Sequence, residues 1–260
     1  MAVNALGIGN IEAEVFQLIF LTTRIGAALL IAPIFGMVSV PISVRLLFSG
    51  SIALFVDTWV VIAIPQASLQ IEIVAAVISE AMIGFLFGFT LRLAFAAPSI
   101  AAEVIAGSMG IAMAIAVDPS SGSQSGILGQ YFDIILTLIF LGLGCHLLWL
   151  RLVIESYTAL PPGGAWLGED VFLQIVGFAS EMFATAVVIA LPVTLILLIV
   201  QIITGVLSRS SPALNLFALG LPAGVATGIA ALIASSPVLH EQFVELSITA
   251  VEQAGSIVQK

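Results

Sequence analysis

Charge is scarce in this chain. Six Lys and Arg and fifteen Asp and Glu are spread over 260 residues, 8% of the sequence, against about 25% in a typical globular protein. So few charges cannot cover the surface of a soluble domain of this length, which excludes a soluble enzyme. Basic residues are the scarcest, and the formal net charge is −9. No Lys/Arg patch exists to neutralise phosphates, so nucleic acid is excluded as a partner. The single cysteine, Cys145, forms no internal disulfide and supplies no Cys-based metal site. No basic residue precedes Arg24, while Glu12 and Glu14 are acidic. A secretory leader needs a positive start, so the first segment is expected to be retained. Catalytic motifs are lacking too. His240-Glu241 opens like a zinc-protease HExxH, but Val244 stands where the second His belongs. GLGC (142–145) carries Cys145 at the acid position of an intramembrane aspartyl GxGD, and GSQSG (122–126) has Gln124 where a GxSxG elbow has its serine. His146 has no second His nearby and reads as a buried, hydrogen-bonded residue at a helix contact. With no phosphate-binding glycine loop either, no enzyme, cofactor or metal site is expected.

What is present is apolar. Hydrophobic residues make up 61% of the chain, which makes it an integral membrane protein. A bilayer core about 30 Å thick needs roughly 20 apolar helical residues. The stretches that qualify predict an all-α, polytopic, single domain over 1–260, with about six spans near 13–36, 43–64, 71–97, 131–155, 178–207 and 213–234. Residues 98–117 are an ambiguous seventh. Pro33, Pro98, Pro192, Pro212, Pro222 and Pro237 fall within or beside these windows. Proline removes a backbone donor and clashes with the preceding turn, so several helices are expected to be broken and packed against partners. The basic residues Arg45, Arg92, Arg151, Arg209 and Lys260 alternate poorly across a six-span arrangement.

Three constellations stand out. The first is a scatter of charges inside apolar stretches: Arg24, Asp57, Glu80, Arg92, Glu103, Asp133, Glu155 and Glu181. A charge at a helix centre costs about 2.5–3.5 kcal/mol on insertion scales, so such groups face a protein interior or a wet path. They form either an ion relay or cross-helix pairs and subunit contacts, and the single scattering favours the second. The next is small-residue spacing: Gly84 and Gly88, then Gly220, Gly224 and Gly228. Missing side chains at four-residue intervals let two helix backbones approach closely. The last is AGSMGIAMAIAVDPSSGSQSG (106–126). Its glycines and its soft side chains Met109 and Met113 suit either an adaptable closure of a passage or an ordinary kinked helix and loop.

GSMGIAMAIAVDP (107–119) is followed by LIFLGLGCHLLWL (138–150), ESYTALPPGG (155–164) and LSRSSPALNLFALGLP (207–222), with APIFG (32–36), Pro41 and Arg45 near the start. In order and spacing this combination resembles the FliR family of flagellar type III export-gate proteins, whose injectisome relatives form the SctT branch. The resemblance covers nearly the whole chain. Ser108 stands where the family more often has Gln, and Cys145 interrupts its usual Asn-Gly-His type run. The resemblance implies a structural subunit in the bacterial inner membrane, at the flagellar basal body. There it would assemble with FliP-like and FliQ-like subunits into a pseudo-symmetric conical gate and engage FlhB-like and FlhA-like components, and unfolded flagellar substrates would thread the centre. It further implies that a loop matching about Gly107 to Gly122 plugs the closed pore, with Gly107, Met109, Gly110, Met113, Asp118 and Pro119 in it. Helix packing then falls to Gly84, Gly88, Gly220, Gly224 and Gly228, and subunit contact to Arg24, Glu80, Arg92, Glu103 and Glu155. The alternatives are an injectisome gate subunit, a small-ion or solute transporter using Glu80, Arg92 and Glu103, and an intramembrane hydrolase using His146.

Overall fold

The computed structural model describes residues 8–37, 39–59, 70–110, 126–162, 168–210 and 216–258. Among them every regular element is an α-helix: α1 (Ile8–Ile31), α2 (Ile42–Trp59), α3 (Gln70–Ser108), α4 (Ile127–Gly142), α5 (Cys145–Ala159), α6 (Glu169–Ser210) and α7 (Leu216–Ser256). The all-α class follows from the composition, because a backbone in an apolar solvent must satisfy its N–H and C=O groups within its own segment.

The span count is smaller than the six expected. Among the described residues, Ile73–Ser108, Asp170–Leu207 and Pro222–Ser256 are long and apolar enough to cross a membrane, and the count reaches four if the bent pair α4 and α5 is taken as one broken span. The two expected spans outside that set, 13–36 and 43–64, fall on α1 and α2, and α1 contributes only a shorter apolar stretch, Gln17–Ile31; elsewhere the helices differ from expectation in where they break. Pro98, Pro192, Pro222 and Pro237 all lie inside continuous helices, so the breaks expected at those prolines do not occur. Residues 98–108, taken as the start of a possible seventh span, simply continue α3. The window 131–155 is instead divided at Gly144, whose φ of 72° is left-handed. That conformation costs an L side chain about 1–2 kcal/mol and glycine almost nothing, and it starts α5 afresh.

Helix α7 continues well beyond 234 for a different reason. Phe243, Leu246, Ser247, Ala250 and Ala254 are buried, while Glu241, Glu245 and Glu252 are exposed. This is a 3.6-residue apolar stripe with a charged back.

The chain divides into two compact units. One comprises Met1–Leu93, Gly144–Val176 and Thr249–Lys260; the other comprises Ala94–Leu143 and Gly177–Ile248. In the first, α1 and α2 form a packed hairpin. Its turn is held by Gly36 N–H donating to the Ala32 carbonyl at 2.7 Å, and by an Arg45 guanidinium hydrogen bond to the Met37 carbonyl. Phe35 stacks between Phe48 and Trp149, with centroids at 5.8 and 6.3 Å. Trp149 is 1% exposed and donates to the Phe87 carbonyl at 3.2 Å, fixing α5 on α3.

Helices α1 and α3 approach each other closely. A Cβ at Gly84 would stand 2.1 Å from the Arg24 carbonyl oxygen, and one at Gly88 would stand 2.6 Å from that of Ala28. Backbone meets backbone here, so nothing larger than glycine fits without moving a helix.

In the second unit α3, α4 and α7 are joined by edge-on aromatic pairs, Phe95–Phe140 at 5.6 Å and Phe132–Phe243 at 5.5 Å. Ser99 on α3 donates to Asp133 Oδ1 on α4 at 2.7 Å. Gly84→Ala is expected to destabilise the protein by about 1–3 kcal/mol or more through forced separation of α1 and α3. Gly50→Ala, on an open face of α2, should be neutral or slightly stabilising. Thermal unfolding of both variants in mild detergent checks this.

Candidate functional site

Arg24, on α1, is wholly buried, as are Glu80 on α3 and Ser156 on α5. Its guanidinium engages the Glu80 carboxylate through two parallel bonds, Nε to Oε2 at 2.7 Å and Nη2 to Oε1 at 2.9 Å. Nη1 donates to Ser156 Oγ at 3.0 Å, and Nη2 also donates to the Leu160 carbonyl at 2.8 Å. The Tyr157 ring covers the cation at 4.2 Å, and its hydroxyl donates to the Leu21 carbonyl at 2.7 Å. The fork geometry suits arginine's planar donors, where lysine would offer one point charge. Three helices thus meet at one cation: α1 carries it, α3 supplies the ion pair, and α5 supplies both a hydroxyl and an aromatic face.

The second locus lies at the end of α3, within the other unit. Ser108 is its last residue, and Gly110 then turns with φ 83° while its N–H donates to the Gly107 carbonyl at 3.1 Å. The Ser108 carbonyl accepts a 2.7 Å bond from the Gln201 side-chain amide on α6. Met109 is 4% exposed. Its carbonyl oxygen lies 2.9 Å from where a Cβ would stand on Gly224, and its Cγ, Sδ and Cε lie 2.5–2.8 Å from that point on Gly228. The two glycines of α7 therefore form a notch that the methionine fills.

The model of the family described as bacterial export proteins, family 1, matches residues 15–249. The chain is 30% identical to the flagellar biosynthetic protein FliR of Escherichia coli over 219 residues, 83% of this chain and 82% of that protein. Identity to the flagellar biosynthetic protein FliR of Aquifex aeolicus is 30% over 235 residues, 88% of this chain and 90% of that one. For the protein of the same name from Bacillus subtilis it is 28% over 227 residues, 86% of each. The chain belongs to the FliR family of bacterial export proteins. With its membrane-capable helices, it is a membrane component of protein export.

This FliR-family fold distributes the expected site residues unevenly. Arg24 and Glu80 are brought together, whereas Arg92, Glu103 and Glu155 are exposed. Glu155 bonds its own helix neighbour Arg151 at 2.6 Å on the surface, a pairing worth little. Gly84 and Gly88 pack α3 on α1, Gly224 and Gly228 seat Met109, and Gly220 has no neighbour within 4 Å of its missing Cβ. Gly107, Met109 and Gly110 close α3, whereas Met113, Asp118 and Pro119 lie outside the described residues. His146 is half-buried and its Nδ1 has no hydrogen-bond partner, which departs from the hydrogen-bonded histidine expected. Among the described residues no group of three His, Cys, Asp or Glu could hold a metal ion.

Sequence reasoning missed Ser156, Tyr157 and Gln201. The first two sit in ESYTALPPGG, which carried the resemblance without a mechanical role; that role is to sheathe Arg24. Gln201 was legible in principle, as the one amide side chain between Met182 and Ser208. A primary amide in so apolar a run needs a partner.

Removing one member of a buried pair leaves the other uncompensated, so Glu80→Ala is expected to cost about 3–5 kcal/mol. The double replacement Arg24→Met with Glu80→Leu should cost less than Glu80→Ala alone. A double-mutant cycle on unfolding midpoints in detergent reads the difference.

Proposed function

We propose that this chain is a structural subunit of the flagellar protein export gate in the bacterial inner membrane. In this reading it packs with FliP-like and FliQ-like subunits around a central conduit, engages FlhB-like and FlhA-like components, and helps to plug the passage for unfolded flagellar proteins. Its work is steric and conformational. The match to relatives named flagellar biosynthetic protein FliR over more than four-fifths of the chain carries the reading.

The distribution of polar and apolar surface supports it. Only 28% of the apolar window of α6 and 22% of that of α7 is buried within the chain. Large side chains such as Phe183, Val187, Ile199, Ile202 and Ile233 stand exposed. That surface needs lipid or neighbouring subunits to cover it. Arg92 and Glu103 are also exposed, on the apolar helix α3. A charge on such a helix is poorly served by hydrocarbon and well served by a protein neighbour. The closed state is assigned to the segment from Gly107 onward, including Met113, Asp118 and Pro119, and it gives way when substrate and partners preferentially bind the open state.

Deleting residues 111–117 is expected to raise small-solute efflux from vesicles carrying the assembled gate, with assembly itself retained. Wild-type permeability in the deletion variant would remove the plug role. Solute transport by the isolated chain in liposomes, without partner subunits, would instead support the transporter alternative.

A further inference from the structure

We infer that Met109, Gly228 and Gln201 form a clip that positions the plug, and that Met109 is an anchor at the plug's root, set back from the occluding surface. This inference rests on the plug reading above and adds which residues hold the segment and how.

The observations are independent of one another. Met109 is withdrawn from solvent into its own chain, so its side chain is already occupied and cannot also block a conduit. Its thioether fills the space left by the missing side chain of Gly228, while its backbone lies against Gly224. Gln201 approaches from a third helix and donates to Ser108, one residue earlier. The last carbonyls of a helix have no intrahelical donor, and in apolar surroundings an unmet carbonyl is costly. Gln201 therefore meets the need of the α3 terminus, and that terminus meets the need of the amide. Gly110, with its positive φ, ends the helix immediately after the clamped residues. The end of α3, up to Gly110, is thus held by α6 and α7 together.

The chemistry of the clip makes it reversible. An unbranched, polarisable methionine makes many weak contacts, and its three rotatable bonds let it leave and re-enter a notch without rebuilding the backbone. One hydrogen bond adds a modest net contribution. Such a clip biases a two-state equilibrium without locking it. A branched or aromatic residue at 109, or any side chain at 228, would not offer the same fit.

The test uses gates assembled with their partner subunits in vesicles, scored for small-solute efflux, assembly yield and thermal midpoint. Gly228→Ala places a methyl group on the Met109 side chain and is expected to raise efflux about tenfold. The Gly228→Ala effect should vanish in a Met109→Ala background, since the atoms it strikes are gone. Gln201→Leu keeps α6 apolar but removes the donor, and it should raise efflux with assembly yield unchanged. Gly220→Ala, on the same stripe with open space around it, should leave efflux at the wild-type level.

Wild-type efflux in both Gly228→Ala and Gln201→Leu overturns the clip, as does an equal Gly228→Ala effect with and without Met109. The 111–117 deletion, run in parallel, separates the two ideas. Efflux from the deletion with silent clip variants sinks the clip alone. A silent deletion sinks the plug, and coupling between Met109 and Gly228 in the thermal midpoints then still reports whether the contact forms.

Discussion

A guanidinium taken fully out of water is tolerable only if nearly every donor it carries is answered inside the protein. Arg24 meets that condition through four hydrogen bonds and an aromatic face. Much of the first unit's geometry follows from it. The Glu80 carboxylate must lie on the turn of α3 that faces α1, and the glycines at 84 and 88, on the same side of α3, let the backbones close to the distance the fork requires. Tyr157 and Ser156 must be adjacent on α5, one over the cation and one beside it. The end of α5 must present the Leu160 carbonyl inward, so the helix stops there. A buried ion pair is weak evidence for stability, because desolvation offsets most of its attraction. Its stronger effect is on register: sliding α1 against α3 by one turn would strand a charge, and sliding α5 would strip the guanidinium of its hydroxyl and aromatic cover.

The two glycine pairs illustrate how one sequence pattern serves two purposes. At 84 and 88 the neighbouring atoms are largely backbone, of α1, and backbone cannot yield without moving the helix. At 224 the neighbour is again backbone, of Met109, but at 228 it is the flexible side chain of that same residue. The first contact is a permanent junction and the second is a seat. Spacing alone cannot separate them, since both read as small residues four apart. What separates them is the partner, which the fold supplies.

The same limit governs what the sequence revealed. Helical class, membrane character and the embedded charges were legible because they are compositional and local. That Arg24 and Glu80 belong to one site was not, for they are 56 residues apart and equally plausible partners lay between and beyond them. Prolines misled, since Pro98, Pro192, Pro222 and Pro237 all lie inside continuous helices although each removes a backbone donor. Gly144 broke a helix where no proline stood, because a left-handed residue redirects the chain more surely than a missing donor does. The length of α7 was hidden by a change of register: beyond 234 the helix stops being uniformly apolar and becomes amphipathic, so a search for charge-free windows ends too early.

Comparing the polar groups the chain satisfies with those it leaves exposed separates its interior from its borders. Arg24, Glu80, Ser156 and the Ser108 carbonyl are all answered within the chain. Arg92 and Glu103 lie on the apolar helix α3, are exposed, and make no ion pair among the described residues. Both sets obey one rule, that charge in apolar surroundings needs a protein neighbour. In the first set the neighbour is the chain itself. In the proposed gate the second set is answered by neighbouring subunits, and the broad exposed faces of α6 and α7 offer area for the same purpose. A helical protein that answers one set of charges internally and leaves another exposed has the surface that the proposed gate assembly requires.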